Sequence, residues 1–317
     1  MSDAILTVCV VTYNQIKYIR QCLDSIVQQR TNYSYQVIIS DDASTDGTSE
    51  ICEAYAKEYS FVSYVRHEKN IGAYENLKYV HRQAKSKYVS HCDGDDYWAE
   101  GKIEAQIDFL KKNTDCSAVY SNAIVVNEDG SVFGLFNNAD RIPSKIRIGY
   151  LLAKSNFLNN SSMTYRRNTI GNLFNSSEKV VDYRVHINLA SFGLLGYIRN
   201  PLAYYRKGAD GGLCSTVPSA VGQLVHAARL DGIKNSNLNI SEYSEIKANA
   251  LYGKFTSTLK RNRLFYARHV EITSVIIKYS FISTLLFFIC EIFSFVFNKA
   301  KCKLYKNDNA LPIFCRR

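Results

Sequence analysis

ILTVCVVTYNQIKYIRQCLDSIVQQRTNYSYQVIISDD, residues 5–42, is the stretch that decides the fold class of this chain. Leu6–Val11 is a short apolar run rich in β-branched residues that stops at Thr12, which predicts a buried strand. Apolar residues at spacings of three and four over 18–28 predict a helix, and a second strand follows at 35–40. A strand, a helix and a strand in this order predict two parallel strands with a right-handed crossover.

The same alternation continues further along the chain. Helices are predicted at 49–59 and 74–84, and strands at 61–66 and 87–92. The sequence therefore predicts an α/β fold with a mostly parallel, Rossmann-like sheet flanked by helices. In such a sheet the ligand lies at the carboxyl ends of the strands, where the loops separate. Residues 137–178 are polar and weakly periodic, which predicts loops and short helices.

The composition of the chain indicates which kinds of partner and which cellular compartment to expect. The 317 residues carry a net charge of +10, which favours acidic partners such as a nucleic acid, an anionic lipid or a diphosphate-bearing substrate. Nine scattered cysteines with no CxxC pair are typical of reduced thiols. The chain starts without a basic segment followed by an apolar one, so we expect a cytoplasmic location rather than secretion.

An acidic cluster, Asp93-Gly94-Asp95-Asp96, directly follows the predicted strand 87–92. Carboxylates in a D-x-D pattern at a strand end can supply oxygen ligands to Mg²⁺ or Mn²⁺, which then bridges a diphosphate. The alternative is a solvated Asp-rich turn or a helix cap. Asp41 and Asp42 follow another strand, and carboxylates that converge at one sheet edge are a signal of a functional site.

Four segments in this order resemble the signature of family 2 glycosyltransferases with the GT-A fold: VCVVTYN at 8–14, SDDASTDGT at 40–48, NIG at 70–72 followed by Asn76, and DGDD at 93–96. The resemblance implies a GT-A catalytic domain over residues 1–215 and a helical region over 216–317. It also implies inverting transfer from a nucleotide-diphosphate-sugar, with a UDP-sugar as the first expectation, and a divalent Mn²⁺ or Mg²⁺.

The resemblance also implies roles for individual residues. Asp95 is the expected metal ligand. The expected nucleotide-sugar contacts are Thr12, Tyr13, Asn14, Asp41, Asp42, Asn70, Gly72, Asn76, Asp93, Arg206 and Lys207. The last two lie in a region similar to the family's Tyr-Arg-x-His segment, in which Lys207 stands where His is frequent. For these two the alternative is a solvated basic turn.

Inversion by direct displacement needs a base that takes the proton of the acceptor hydroxyl. The family places an acidic residue at a helix start some eighty to ninety residues after the metal motif. Val180–Arg184 is similar to that pattern, so the resemblance implies that Asp182 is the catalytic base. The alternative is that Asp182 caps the helix.

The C-terminal region contains a nearly continuous apolar stretch, 279–297, within a helix predicted at about 272–298. Lysines and arginines flank it on both sides. A helix lying on an anionic membrane surface, a helix spanning the membrane and a helix buried against protein all remain open, and the first is favoured. The expected location is therefore peripheral, on the inner face of the cell membrane. Bacterial members of the family with this layout commonly extend surface glycans, so the resemblance implies a glycan or lipid-linked oligosaccharide acceptor in surface-polysaccharide biosynthesis.

Two other functions compete with this prediction. A nucleotidyltransferase or another diphosphate-handling α/β enzyme would use similar carboxylates but would also carry a Gly-rich, basic loop after its first strand, and residues 12–15 are not one. A basic nucleic-acid-binding protein is the second alternative. No nucleic-acid-binding motif accompanies the positive charge, so we expect no nucleic-acid partner.

Overall fold

The computed structural model describes residues 4–175, 177–209 and 218–259, together with the single residues 272 and 289. The chain divides into two compact units. The described part of the first comprises residues 4–146 and 158–224 with the gaps given above, and that of the second comprises 147–157 and 225–259. The predicted boundary at 215/216 lies outside the described residues, as does the predicted helix at 272–298 apart from its two isolated residues.

One sheet of ten strands forms the framework of the first unit. Its strands are β1 (Leu6–Thr12), β2 (Tyr35–Asp41), β3 (Val62–Arg66), β4 (Tyr88–Asp93), β5 (Tyr97–Trp98), β6 (Cys116–Val126), β7 (Val132–Leu135), β8 (Lys145–Ile146), β9 (Thr164–Arg166) and β10 (Leu194–Arg206). The order across the sheet is β3-β2-β1-β4-β9-β6-β10-β5, while β7 pairs with β6 and β8 pairs with β10.

Six helices of the described residues lie between these strands in sequence, and two more follow β10. They are α1 (Ile19–Val27), α2 (Thr48–Glu58), α3 (Ala73–Gln83), α4 (Lys102–Lys112), α5 (Ile148–Lys154), α6 (Asp182–Phe192), α7 (Pro218–Asn235) and α8 (Ile240–Leu259). Helix α1 illustrates how the sequence builds the core, because Ile19, Cys22, Leu23 and Ile26 are fully buried at the predicted spacing. Each such aliphatic side chain contributes roughly 1.5–3 kcal/mol of burial free energy.

The direction of the strands places the loops that follow the parallel strands at one edge of the sheet. β1 is parallel to β2 and β4, β2 is parallel to β3, and β6 is parallel to β10. The short strand β9 is antiparallel to both β4 and β6, so these two strands run in the same direction. The carboxyl ends of β1, β2, β4, β6 and β10 therefore share one edge, hereafter the carboxyl edge. The α/β prediction is confirmed, and the antiparallel β9 is an addition to it.

The second unit is helical in its described part, and polar side chains cap two of its helix ends. The Arg229 guanidinium donates to the carbonyl oxygens of Leu152 and Ala153, which are among the last carbonyls of α5. Asn239 and Glu242 exchange backbone-to-side-chain hydrogen bonds at the start of α8, as in a capping box. None of the helices within the described ranges combines the length and the apolar character needed to cross a membrane.

Candidate active site

The loop after β1 is joined to the loop after β2 by hydrogen bonds. Asn14 adopts a left-handed conformation with φ 51°, which asparagine tolerates better than most residues. Its backbone N–H donates to Ser44 Oγ over 2.9 Å, and its Oδ1 accepts from the N–H of Thr45 over 2.8 Å. Thr12 is buried and donates to Gln15 Oε1 over 2.8 Å. The two loops therefore form one continuous surface at the carboxyl edge.

Asp41 is fully buried at the end of β2, and its carboxylate is engaged by neighbouring protein groups. Oδ1 accepts from the N–H and the hydroxyl of Ser44, at 2.9 and 2.5 Å. Oδ2 accepts from the hydroxyls of Ser49 and Tyr64, at 2.7 and 2.8 Å. A buried carboxylate with four donors is well compensated for the loss of water. Asp41 thus fixes the shape of the loop that follows it.

Asp42 and Asn76 tie a third loop to the same strand end. The two carboxylate oxygens of Asp42 accept the backbone N–H groups of Ile71 and Gly72, at 2.7 and 2.9 Å. The buried Asn76 side chain donates to the Ser40 carbonyl and accepts from the Ser40 hydroxyl, at 3.0 and 2.5 Å. Of the residues expected to contact the donor, only Tyr13 and Asn70 present exposed side chains in these three loops.

The DGDD loop lies directly against the loop after β1. The backbone N–H of Gly94 donates to the Val11 carbonyl over 2.9 Å. A Cβ atom at position 94 would collide with Gln15 Oε1 and would lie 3.0 Å from Thr12 Cβ. Glycine is therefore needed at position 94 because the two loops pack in direct contact. This contact places the acidic cluster next to the loop predicted to hold the nucleoside.

Among the three carboxylates of the DGDD loop, that of Asp95 has the fewest hydrogen-bond donors in the described part of the chain. Burial, with a further contribution from the negative charge of Asp93, raises the pKa of Asp95 to about 7. Its carboxylate accepts from its own backbone N–H and from no other donor in the described part of the chain. The positive charge of Arg206 offsets this rise only in part. A partly buried carboxylate in this state is suited to an added cation.

The other two carboxylates of the cluster have protein partners. Asp93 Oδ1 lies 3.0 Å from His91 Nε2, and Asp93 Oδ2 accepts from the Ser161 hydroxyl over 3.3 Å. Burial raises the pKa of Asp93, but the His91 charge and these two hydrogen bonds outweigh it and hold the pKa below its usual value. Asp96 accepts from the Arg206 N–H over 2.8 Å, and burial raises the pKa of Asp96 well above its usual value.

Arg206 joins the acidic cluster to its surroundings. Its guanidinium donates to four oxygen atoms, namely Asp95 O, Asn127 O, Glu128 O and Gln21 Oε1. Its charge therefore lies beside Asp95 while most of its N–H groups are used within the protein. The Lys207 ammonium lies 3.4 Å from the centre of the Phe133 ring, a cation–π contact. A contact of either side chain with the diphosphate stays a prediction.

Asp182 is the first residue of α6, and Val181 precedes it in the cap position. The Asp182 Oδ1 atom accepts the backbone N–H of Tyr183 over 2.7 Å. Burial raises the pKa of the Tyr120 hydroxyl on β6, and the Asp182 charge raises it further, so this carboxylate lies close to the sheet.

The chain path shows which edge of the sheet the start of α6 approaches. Helix α6 leads into β10, whose first residue pairs with the first residue of β6 at the amino edge. An eleven-residue helix is about 16 Å long, which returns its start toward the carboxyl edge.

No group of three or more His, Cys, Asp or Glu side chains in the described part of the chain surrounds a common metal position. A divalent ion at the DGDD loop would therefore need most of its ligands from a bound diphosphate and from water. Mg²⁺ is commonly held in this way, by one or two carboxylates together with substrate phosphates. The Asp95 carboxylate, which accepts only from its own backbone N–H among the described residues, fits this kind of site.

Sequence reasoning missed two residues that contact the acidic cluster. His91 stands two positions before Asp93 on β4, and alternate strand residues share a face, so strand periodicity offered a usable signal. The Ser161 hydroxyl accepts the backbone N–H of Asp93 over 3.0 Å and donates to the Asp93 carboxylate over 3.3 Å. Ser161 lies in the weakly periodic segment 137–178, where nothing in the sequence separated it from neighbouring polar residues.

Comparison with known proteins places the chain in a family. The model of glycosyl transferase family 2 matches residues 7–174, slightly more than half of the chain. The protein Rv1520 of Mycobacterium tuberculosis is 31% identical over 208 residues, which are 65% of this chain and 60% of that protein. The putative teichuronic acid biosynthesis glycosyltransferase TuaG of Bacillus subtilis is 30% identical over 43% of this chain and 53% of its own. The chain thus spans about 60% of the length of the first of these relatives.

Solved structures show the same fold at low sequence identity. TarS of S. aureus in complex with UDP-GlcNAc superposes with a TM-score of 0.61 at 18% identity, covering 86% of this chain and 80% of TarS. The mannosyltransferase PcManGT of Pyrobaculum calidifontis, in complex with GDP-Man and Mn²⁺, gives 0.58 at 16% identity, covering 96% and 82%. The family match also favours a glycosyltransferase over the nucleotidyltransferase alternative. The chain belongs to glycosyl transferase family 2, and it has the GT-A fold.

Proposed function

We propose that the enzyme transfers a sugar, with inversion, from a nucleotide-diphosphate-sugar to a hydroxyl of a glycan or lipid-linked oligosaccharide in surface-polysaccharide biosynthesis. The observation that carries the proposal is the Asp95 carboxylate at the carboxyl edge, which has few hydrogen-bond donors and lies beside loops that the protein itself holds in place. Relatives support the choice of substrates. TuaG is named for teichuronic acid biosynthesis, and TarS and PcManGT are seen with UDP-GlcNAc and GDP-Man. A UDP-sugar is our first expectation.

The loops after β1, β2 and β3 would hold the nucleoside. Tyr13 and Asn70 have exposed side chains that can reach a ligand directly. Asp41, Asp42 and Asn76 would act mainly by fixing the loop backbones, because their polar atoms already bond to protein groups. Such preformed loops lose little conformational entropy when the donor binds.

The acidic cluster would bind the rest of the donor. Asp93 would accept a hydrogen bond from a ribose hydroxyl, since in the described part of the chain one of its oxygens has only the long 3.3 Å bond from Ser161. Asp95 would hold Mn²⁺ or Mg²⁺, which when bound stabilises the negative charge on the departing nucleoside diphosphate. Arg206 would keep the loop in place through the Asp95 carbonyl.

Asp182 would act on the acceptor. As the acceptor oxygen forms a bond to the anomeric carbon, its proton passes to the Asp182 carboxylate and the bond from that carbon to the phosphate oxygen breaks. Attack on the face opposite the leaving group inverts the anomeric configuration. The position of Asp182 at the start of α6, close to β6, supports this assignment.

Donor binding is tested by thermal unfolding with a panel of nucleotide-sugars and Mn²⁺. A ligand at a hundredfold excess over its Kd stabilises the native state by about 2.7 kcal/mol. We therefore expect one nucleotide-sugar to raise the Tm by several degrees. The rise should be much smaller when excess chelator is added, or when the matching nucleoside monophosphate replaces the nucleotide-sugar. A flat response to every nucleotide-diphosphate-sugar would contradict the proposal.

We also propose that the C-terminal region binds an anionic membrane surface, on the basis of its sequence. The apolar stretch 279–297 is flanked by basic residues, each of which contributes about 1 kcal/mol of attraction to such a surface. The full chain should sediment with anionic vesicles at low salt and be partly released at high salt. A chain ending at Val270 should stay in the supernatant. If both chains stay in the supernatant, the membrane proposal is wrong.

A further inference from the structure

A chain of buried hydrogen bonds leads from the core to Asp93. Asp93 Oδ1 lies 3.0 Å from His91 Nε2, and His91 Nδ1 lies 3.0 Å from Nε2 of His81. His81 Nδ1 lies 2.9 Å from the Tyr165 hydroxyl. His91, His81 and Tyr165 are at most 5% exposed, whereas the Asp93 side chain is 40% exposed. The chain therefore connects the interior of the protein to a carboxylate at the carboxyl edge.

The bond to Asp93 has a fixed direction. An ionised Asp93 only accepts, so His91 Nε2 carries a proton and donates to it. Burial holds the pKa of His81 well below its usual value, so this imidazole is neutral and has one donor and one acceptor nitrogen. Both nitrogens have a partner, because His91 Nδ1 lies on one side of the ring and the Tyr165 hydroxyl lies on the other.

Packing keeps the two rings in this arrangement. The His81 ring stacks on the His91 ring with centroids 5.2 Å apart, and it also stacks on the rings of Tyr165 and Phe174, at 5.8 and 4.9 Å. A ring held on several sides cannot rotate without losing these contacts. A fully bonded buried network of this kind is rigid, and its last member shares that rigidity.

We propose that His91, oriented by His81 and Tyr165, is a positioning residue for donor binding that turns Asp93 so that its second carboxylate oxygen faces the ribose. This rests on the proposed function, in which Asp93 binds a ribose hydroxyl. His91 donates to Oδ1 of Asp93, and among the described residues Oδ2 accepts only the long bond from Ser161. His91 acts through Asp93 and does not touch the substrate.

The test compares donor affinity and the kinetic constants in variants of the full chain. His91→Leu should raise the donor Kd and KM roughly ten-fold, the lower end of what is lost when a partner behind a functional ligand is removed. His91→Gln, whose amide can donate to Asp93, should recover most of that loss. Turnover at saturating donor should change much less than KM. A purely structural role would instead lower the active fraction and leave KM unchanged.

Tyr165→Phe provides a second variant in case His91→Leu does not fold. It removes only the last hydrogen-bonding group of the chain and should raise the donor KM by about three-fold. Tyr88→Phe is the matched control, because Tyr88 is equally buried on the neighbouring strand, and its hydroxyl bonds to Arg166 alone among the described residues. Equal KM values for these two variants would overturn the proposal.

Two further measurements separate this proposal from the proposed function. Nitrogen-15 NMR of the wild-type protein should show His91 protonated on Nε2, and an unprotonated Nε2 on this ring would overturn the proposed bond to Asp93. Asp93→Asn should weaken donor binding more than His91→Leu does. If Asp93→Asn binds the donor normally, the proposed role of Asp93 fails. If Asp93→Asn weakens binding and His91→Leu does not, only the positioning role fails.

Discussion

Asp95→Asn should lower sugar transfer by about 10²- to 10³-fold, the size of effect seen when one stabilising group for a developing negative charge is removed. The amide that replaces the carboxylate is neutral and is a poor ligand for Mn²⁺ or Mg²⁺. Excess chelator should silence the wild-type enzyme to a similar extent. The measurement is the initial rate with the donor identified by thermal stabilisation. Full activity in excess chelator would remove the metal from the mechanism.

The stability of the same variant should move in the opposite direction from its activity. Because the pKa of Asp95 is raised to about 7 in the folded chain, wild-type stability is lost as the pH rises from about 4 toward 7. Metal-free Asp95→Asn should therefore have a Tm at or above that of the metal-free wild type at pH 8, and this advantage should vanish near pH 4. A Tm far below wild type at pH 8 would mean that the lost activity reflects unfolding.

A matched control for Asp95→Asn is available at the opposite edge of the sheet. Asp115 is an exposed carboxylate that pairs with Lys145 near the amino end of β6. Asp115→Asn removes the same charge and should leave transfer near the wild-type rate, since exposed ion pairs contribute little to stability. A large loss in both variants would point to net charge rather than to a metal ligand.

Asp182→Asn should reduce turnover by at least about 10²-fold, the usual contribution of a general base. Donor affinity should stay close to that of the wild type, because Asp182 is proposed to act on the acceptor. The asparagine side chain can still accept the N–H of Tyr183, so the start of α6 should be preserved. The measurement is kcat at saturating donor and acceptor, with donor Kd measured separately.

Glu178→Gln is the control for this second prediction. Glu178 belongs to the same segment and pairs with Arg184, and its side chain is 62% exposed. The control should keep wild-type turnover, since its carboxylate has no proposed role in the chemistry. If Asp182→Asn loses donor binding together with turnover, the residue serves to shape the site. In that case another group must take the acceptor proton.

The sequence by itself determined the alternation of strands and helices, because burial of one face imposes a period on the residues that form it. The apolar spacing predicted a helix over 18–28, and α1 spans Ile19–Val27. The strand predicted at 35–40 is β2, Tyr35–Asp41. The DGDD and SDD segments could be assigned to strand ends for the same reason, and their order along the chain indicated the family.

Only the tertiary structure decided which polar groups meet, because such contacts join residues that are far apart in sequence. The three-residue strand β9 has too few residues to show a period, yet it lies between β4 and β6 and sets their relative direction. Asp41 and Asp95 look alike in sequence, but one is enclosed by four hydrogen-bond donors and the other accepts only from its own amide among the described residues. Their different sets of hydrogen-bond donors arise from tertiary packing, which the periodicity of the sequence does not reveal.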